Sequence, residues 1–303
     1  LLMSFADLSQ TRPLNIVLNS GNGCAGPTVD ALAARMPSHI KLTSVHGEPD
    51  GSFPNGIPNP LLPEKRQSTT DAVLAHGADF GVAFDGDFDR CFFFDGEGNF
   101  IEGYYVVGLL ARAMLQDAAD ETAIVYDNRM TWATLAAIEE AKGKAVVSRT
   151  GHIFLKRLVR EHRAPYGGEM SAHHYFYDFF SCDSGMIPWL LMAQLVGMSG
   201  QSLSALVADA QRAFPCSGEI NFWVDDAKAV IARLEHAYAG QGDRIEIDGL
   251  TYEFDDWRFN VRSSNTEPLL RLNVDTRGDA ESPGEKTAET EKGQSGPVCH
   301  PHR

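Results

Sequence analysis

Asp85, Asp87 and Asp89 occupy alternate positions in the run Asp85-Gly86-Asp87-Phe88-Asp89-Arg90. Carboxylates so spaced on a short loop can converge on one hard divalent cation. Mg²⁺ suits them, because it takes oxygen ligands and keeps positions open for water or a substrate phosphate. Arg90 adds a planar donor fork that fits a phosphate. A solvated acidic loop is the plain alternative, but the apolar runs on either side, 80–84 and 92–94, put the carboxylates at the mouth of a core. An EF-hand does not fit, since its sixth position requires glycine and holds Arg90, and its twelfth requires glutamate and holds Gly96.

Two further clusters carry polar chemistry. In Gly167-Gly168-Glu169-Met170-Ser171-Ala172-His173-His174, Glu169 and Ser171 can hydrogen-bond vicinal sugar hydroxyls, and a histidine can donate to a phosphate near neutral pH. A loop around one satisfied histidine accounts for the same residues equally well. His173 and His174 point to opposite sides of an extended segment and do not serve one metal. In Arg262-Ser263-Ser264-Asn265-Thr266-Glu267-Pro268, short donors and one arginine make a concavity suited to phosphate; an ordinary polar hairpin loop has the same composition. A fourth stretch, Gly21-Asn22-Gly23-Cys24-Ala25-Gly26, matches G-x-G-x-x-G, with Glu48 and Asp50 near the distance of a ribose-binding acid. A dinucleotide site is therefore the first rival. The second strand, however, ends in a Gly/Pro/Asn-rich loop with no clean acid at its tip, so the glycines are read as a tight strand-to-helix turn with close packing.

The elements that must hold these loops follow from periodicity and punctuation. Strand 14–18, a glycine turn, helix 28–36 and strand 40–45 lead into a loop at 48–63, then helix 68–76 and strands 80–84 and 91–94; residues 100–115 turn helical after the first few. The pattern restarts with strand 123–126, helix 131–141, strand 145–148, helix 153–161, a turn-rich region, and helices 187–196 and 203–213. Strands alternating with helices of this length imply β-α-β units. From Pro215 onward one helix, 227–238, lies among strands 219–224, 244–247, 250–254, 257–261 and 269–274. The fold class is α/β: two α/β domains with mostly parallel mixed sheets (1–116 and 117–213) plus a smaller C-terminal α+β domain with an antiparallel sheet (214–278). Residues 279–303 have no apolar period and are expected to be a disordered tail.

Composition narrows the partners. The 303 residues are 43% hydrophobic and 22% charged, which is globular rather than fibrous or disordered. The apolar run 186–198 is broken by Pro188, Gln194 and Gly197 and falls short of the roughly 20 residues that span a bilayer. No basic, apolar export segment opens the sequence. Five scattered cysteines without a C-x-x-C pair read as reduced, buried thiols of a cytoplasmic protein. A formal charge of −15 argues against nucleic acid or an anionic membrane, both of which need a basic face. A small anion in a closed cleft needs only a local cluster of donors.

Taken in order, the acidic run, the Gly168–His173 loop and the Arg262–Pro268 loop resemble the bacterial phosphomannomutase/phosphoglucomutase members of the α-D-phosphohexomutases, from about Pro13 to Gly278. Residues 49–60 and 183–188 are similar to the phosphomannomutases of GDP-mannose and capsule-sugar synthesis. The resemblance implies Mg²⁺ on Asp85, Asp87 and Asp89 with Arg90 beside them, sugar contacts from Glu169 and Ser171, a further substrate contact from His173, and a non-reacting phosphate held by Arg262, Ser264, Asn265 and Thr266. It implies that Arg129 and His152 face the ligand, with Arg149 standing where the family usually has lysine. The implied ligands are mannose or glucose 1- and 6-phosphate and the 1,6-bisphosphate. Family members carry a Thr-Ala-Ser-His-Asn-Pro-like loop whose serine is phosphorylated. No such loop occurs here: Ser20 lies in the glycine turn, and Ser38-His39 continues as Ile40-Lys41. The expectation is therefore a mutase fragment without the phosphoserine domain and inactive alone, the alternative being a non-catalytic hexose-phosphate-binding module.

Overall fold

A computed structural model describes residues 1–263, 269–278, 283–287 and 300–301. The first sheet holds β1 (Leu14–Asn19), β2 (Ile40–Val45), β3 (Phe80–Phe84), β4 (Cys91–Asp95) and β5 (Phe100–Ile101), in the order β2-β1-β3-β4-β5. β1 pairs in parallel with β2 and β3; β4 and β5 extend the sheet antiparallel. Helices α1 (Gly26–Ala33) and α2 (Gln67–His76) supply the crossovers. Because alternate side chains leave opposite faces of a strand, the phenylalanine run of β4 serves two cores: Phe93 joins the main cluster, while Phe92 and Phe94 join a smaller one under α2. All three are buried, each worth about 1.5–3 kcal/mol of transfer free energy.

After α3 (Gly103–Leu115) the same plan repeats. β6 (Ala123–Asp127), α4 (Trp132–Glu140), β7 (Lys144–Ser148), α5 (His152–His162), β8 (Tyr166–Gly168), β9 (His174–Phe176) and β10 (Cys182–Asp183) precede α6 (Met186–Ser199) and α7 (Leu203–Ala213). The sheet order is β10-β9-β8-β6-β7, with β6 parallel to β7 and β8, and β9 and β10 antiparallel. The stretch read as turn-rich thus contains β8, β9 and β10. They are three, three and two residues long, too short for an alternation to show. α3 packs against α4, α7 and β8, and one hydrophobic cluster runs continuously through both α/β units. α6 is apolar all round because it is buried in that cluster. Among the described residues no single helix is long and apolar enough to cross a membrane; α6 and α7 meet the criterion only as a pair bent by 97°.

The last unit is an antiparallel sheet in the order β12-β13-β14-β15-β11-β16, built from β11 (Cys216–Trp223), β12 (Asp243–Ile245), β13 (Leu250–Glu253), β14 (Trp257–Ser263), β15 (Leu269–Thr276) and β16 (His300–Pro301). α8 (Ala227–Tyr238), capped by Asp226 accepting from the Ala229 N–H, covers it through Val230, Leu234 and Tyr238.

Two expectations change. Within 279–303, read as disordered, the described residues are structured: 283–287 are helical and 300–301 pair with β11. That helix opens at Pro283, where a missing N–H costs nothing, and Lys286 Nζ sits 4.8 Å from the Trp257 ring centroid. The rest of the tail lies outside the described residues. The cysteines, read as buried, are not uniformly so: Cys91 is buried, Cys182 and Cys216 are half-buried, and Cys24 is exposed.

Candidate functional site

Both α/β units present their chemistry in the same place. Each has a central first strand (β1, β6) flanked by two parallel neighbours, and each sends its polar loop from the end of the third strand: 85–90 after β3, 169–173 after β8. Loops beyond the carboxyl ends of parallel strands are where open α/β sheets bind ligands. The two loops are stitched together, with the Cys91 N–H donating to the Ala172 carbonyl at 3.0 Å and the Gly185 N–H to the Phe88 carbonyl at 3.2 Å. Phe88 and Ala172 hold left-handed backbone at φ 52° and 71°. Gly185 is required there, since a Cβ would stand 2.5 Å from the Phe88 carbonyl oxygen and 2.8 Å from that of Arg90. The glycine turn has a similar duty: a Cβ on Gly23 would be 2.5 Å from the Gly86 carbonyl oxygen, and the Cys24 N–H donates to that same atom. It supports the acidic loop from below.

The loops open into a cleft of about 450 Å³ whose lining includes Asp89, Arg90, Arg129, His152, Glu169, Ser171, His173 and Arg262. Every one of these was singled out in the sequence. Asp85 and Asp87 reach it through Asp89, a carboxylate oxygen of each lying within 4.8 Å of the others. Asp85 is buried, and burial raises its pKa against the pull of Arg90. Arg90 Nε donates to Asp85 Oδ2 at 2.6 Å and stands 3.8 Å from Asp89 Oδ1, so its fork is turned in part onto the acidic loop itself. An all-carboxylate set with one anchored and two more open members fits a hard oxygen-seeking cation such as Mg²⁺. Ser264, Asn265 and Thr266 lie outside the described residues.

Glu169 is almost fully buried. Its Oε1 accepts from the Gly151 N–H at 2.7 Å, and Oε2 accepts from the Tyr175 hydroxyl at 2.9 Å. His173 bridges two acids, with Nδ1 3.3 Å from Glu169 Oε2 and Nε2 3.4 Å from Asp89 Oδ1. Burial opposes charge on both partners, but the ion pairs outweigh it: His173 rises to about 9 and Glu169 falls to about 2. His174 points the other way into the core, bonded to the Tyr166 hydroxyl at 2.7 Å, and burial drops it to about 3. It stays neutral.

How the opposite wall is held together was not legible in advance. Arg129 is only 1% exposed. Its Nε and Nη2 clasp Asp127 at 3.1 and 2.8 Å, and Nη2 also donates to Ser171 Oγ at 3.0 Å. Arg262 and Arg271 sit directly opposite one another on β14 and β15. Like charges so paired repel. Glu219 of β11 relieves them: its Oε2 lies 3.2 Å from Arg262 and 3.5 Å from Arg129, and its Oε1 3.7 Å from Arg271. Although burial favours protonation, the three guanidinium groups hold the Glu219 carboxyl below its usual range. Lys156, Glu219 and Arg271 line the cleft but carried no motif; Asp183, which opens the 183–188 run, also lines it and pairs with Lys156 at 2.8 Å. The one available signal was chemical: Glu219 and Arg271 are charges within otherwise strand-like runs.

Comparison with known proteins gives concordant matches. Family models described as phosphoglucomutase/phosphomannomutase alpha/beta/alpha domain II, alpha/beta/alpha domain III and C-terminal domain match residues 3–98, 102–214 and 219–290. A Xanthomonas campestris pv. campestris protein described as "Phosphohexose mutases" is 58% identical over 280 residues, which is 92% of this chain and 62% of the relative. A phosphomannomutase of Salmonella montevideo is 55% identical over 282 residues, again 92% of this chain and 62% of the relative. The crystal structure of a phosphoglucomutase/phosphomannomutase family protein from Burkholderia thailandensis superposes with a TM-score of 0.80 at 28% identity, over 98% of this chain and 64% of that one. The chain thus spans less than two thirds of the length of these relatives.

Proposed function

Because the chain belongs to the phosphoglucomutase/phosphomannomutase family, we propose that its cleft binds a hexose phosphate and serves the interconversion of mannose 6-phosphate and mannose 1-phosphate, with glucose phosphates as further substrates, through a 1,6-bisphosphate. The observation that carries this reading is the meeting of an acidic triad, an arginine wall and a hydroxyl-reading loop in one cleft.

Phosphoryl transfer depends on positioning and on neutralising charge rather than on covalent work by the protein. Asp85, Asp87 and Asp89 would hold Mg²⁺, which when bound supplies positive charge to a transferring phosphoryl group. Arg262, with Ser264, Asn265 and Thr266, would hold the phosphate that is not reacting. Arg271 stands beside it, and Glu219 fixes the spacing of the arginines. Arg90, Arg129 and His152 would balance charge along the path. Glu169, Ser171 and His173 would read the sugar hydroxyls in both orientations of the bisphosphate, before and after it turns around. His173 holds its ring proton between Asp89 and Glu169.

The phosphoryl donor is not evident among these groups. Among the described residues Ser171 is the one serine lining the cleft, and its Oγ accepts from Arg129 rather than facing a base. Binding without turnover is therefore the expected behaviour of this chain alone. Titration calorimetry with mannose 6-phosphate tests the binding, and a coupled assay of mannose 1-phosphate isomerisation with Mg²⁺ by the complete gene product tests the chemistry. No heat of binding in the first, or no turnover in the second beside an active control, would overturn the reading.

A further inference from the structure

Asp89 belongs to two groups at once. Besides its place in the acidic triad, its carboxylate lies with His173 and Asp183 in a set whose ligand atoms are all within 4.8 Å of one another. The donor chemistry of the two sets differs. The triad offers oxygen alone; the second offers one imidazole nitrogen and two carboxylates.

The histidine is held in the manner of a metal ligand. Its Nδ1 faces Glu169 Oε2 at 3.3 Å, so Nε2 is left turned toward Asp89 at 3.4 Å. Glu169 is itself fixed by the Gly151 N–H and the Tyr175 hydroxyl, and the Tyr175 ring stacks on His173 with centroids 6.4 Å apart. A carboxylate behind the imidazole orients the ring and raises its basicity toward a metal in many sites. Asp89, His173 and Asp183 all face the cleft, which leaves further positions open to water or a ligand.

We propose that Asp89, His173 and Asp183 form a second cation site that takes a borderline transition ion, Zn²⁺ foremost, in preference to Mg²⁺. Imidazole suits zinc, whereas magnesium seeks oxygen and dehydrates reluctantly. The Nε2 proton passes to solvent as the metal binds. Since Asp89 is common to both sets, zinc and magnesium compete for it, and zinc antagonises whatever the triad does. Lys156 Nζ, 2.8 Å from Asp183 Oδ1, is the internal competitor that keeps the zinc affinity moderate. The inference is independent of the mutase reading, because it concerns metal binding without any sugar phosphate.

The test is Zn²⁺ titration calorimetry on the 303-residue chain and its variants, with thermal melts as the control for folding. His173→Gln and Asp183→Asn are each expected to weaken zinc at least about 10-fold, the lower bound for losing even an outer-shell partner. The double variant Asp85→Asn/Asp87→Asn is expected to keep zinc, and Lys156→Gln to bind it more tightly. Should His173→Gln fail to fold, Asp183→Asn is read together with imidazole ¹⁵N NMR of the unsubstituted chain, where one histidine ring must shift on adding zinc. Zinc affinity that follows Asp85 and Asp87 instead, that ignores all these substitutions, or that shifts no histidine ring overturns the site.

Discussion

Arg258 offers a demanding test of how the last unit is fastened to the cleft. It is 2% exposed. Nη1 donates to the Arg129 carbonyl at 3.0 Å and to Asp275 Oδ1 at 3.3 Å, Nη2 to the Asn128 carbonyl at 3.0 Å, and Nε lies 3.2 Å from Glu253 Oε2. Arg258→Met keeps the stem but orphans two carbonyls and leaves Asp275 with the Tyr104 hydroxyl and the Thr131 and Trp132 N–H groups. Removing one partner of a buried pair costs about 3–5 kcal/mol. Protonation of Asp275 sets a ceiling: neutralising an ordinary carboxyl at pH 7 costs about 4 kcal/mol, from a pKa near 3.9 at ~1.36 kcal/mol per unit. Burial already raises the Asp275 pKa despite Arg258, and the variant raises it further. A carboxyl whose folded-state pKa lies above its unfolded value destabilises at high pH, and the penalty fades as pH falls toward the unfolded value. The loss in the variant is therefore expected to be greatest near pH 7 and to shrink by up to about 1.4 kcal/mol per unit on the way to pH 4. Urea unfolding followed by circular dichroism at pH 7, 6 and 5 measures it, and amide exchange along the β14–β15 ladder shows whether the last unit opens first. A loss below about 1 kcal/mol at pH 7, or one that does not change with pH, refutes the claim that Arg258 is the countercharge of Asp275.

Three further changes probe the cleft. Gly185→Ala drives a methyl against the Phe88 and Arg90 carbonyls; overpacking of that kind costs about 1–3 kcal/mol, and Mg²⁺ affinity by calorimetry should fall because the acidic loop is displaced. Tyr175→Phe removes the hydroxyl bound to Glu169, and a hydrogen bond to a charged group is worth about 1.5–3 kcal/mol. The Glu169 carboxyl, now at about 2, should rise, so the stability it confers above its unfolded pKa and loses as pH falls toward 2 should shrink, as a urea series from pH 6 to pH 3 would record. Arg262→Met takes a guanidinium from the anion wall, and mannose 1-phosphate affinity should drop by roughly 10- to 100-fold for the loss of one charged contact. Unchanged affinity would remove Arg262 from the ligand.

What could be read from the sequence, and what could not, divides by the range of the contacts. The acidic run and the Gly168–His173 loop were legible because each is contiguous and each leaves a buried strand; the structure adds that both leave the third strand of a repeated plan. Their stitching was not legible, because the Cys91–Ala172 bond links positions 81 apart in the chain. The three short strands β8, β9 and β10 fell below the length at which a period of two can be seen. The helix at 283–287 was missed because its support, Trp257, belongs to another strand. Glu219 is the most instructive case. In the sequence it is one acid at the start of a strand; in the fold it separates Arg262 and Arg271, which face each other across β14 and β15. Two arginines in register repel, so their persistence in one pair of strands requires a nearby carboxylate. A register inferred by pairing the run 257–261, extended one residue to Arg262, with the run 269–274 would have called for such an acid from the sequence alone. An anion entering the cleft meets guanidinium groups already spaced by Glu219, and the protein need not gather them at the moment of binding.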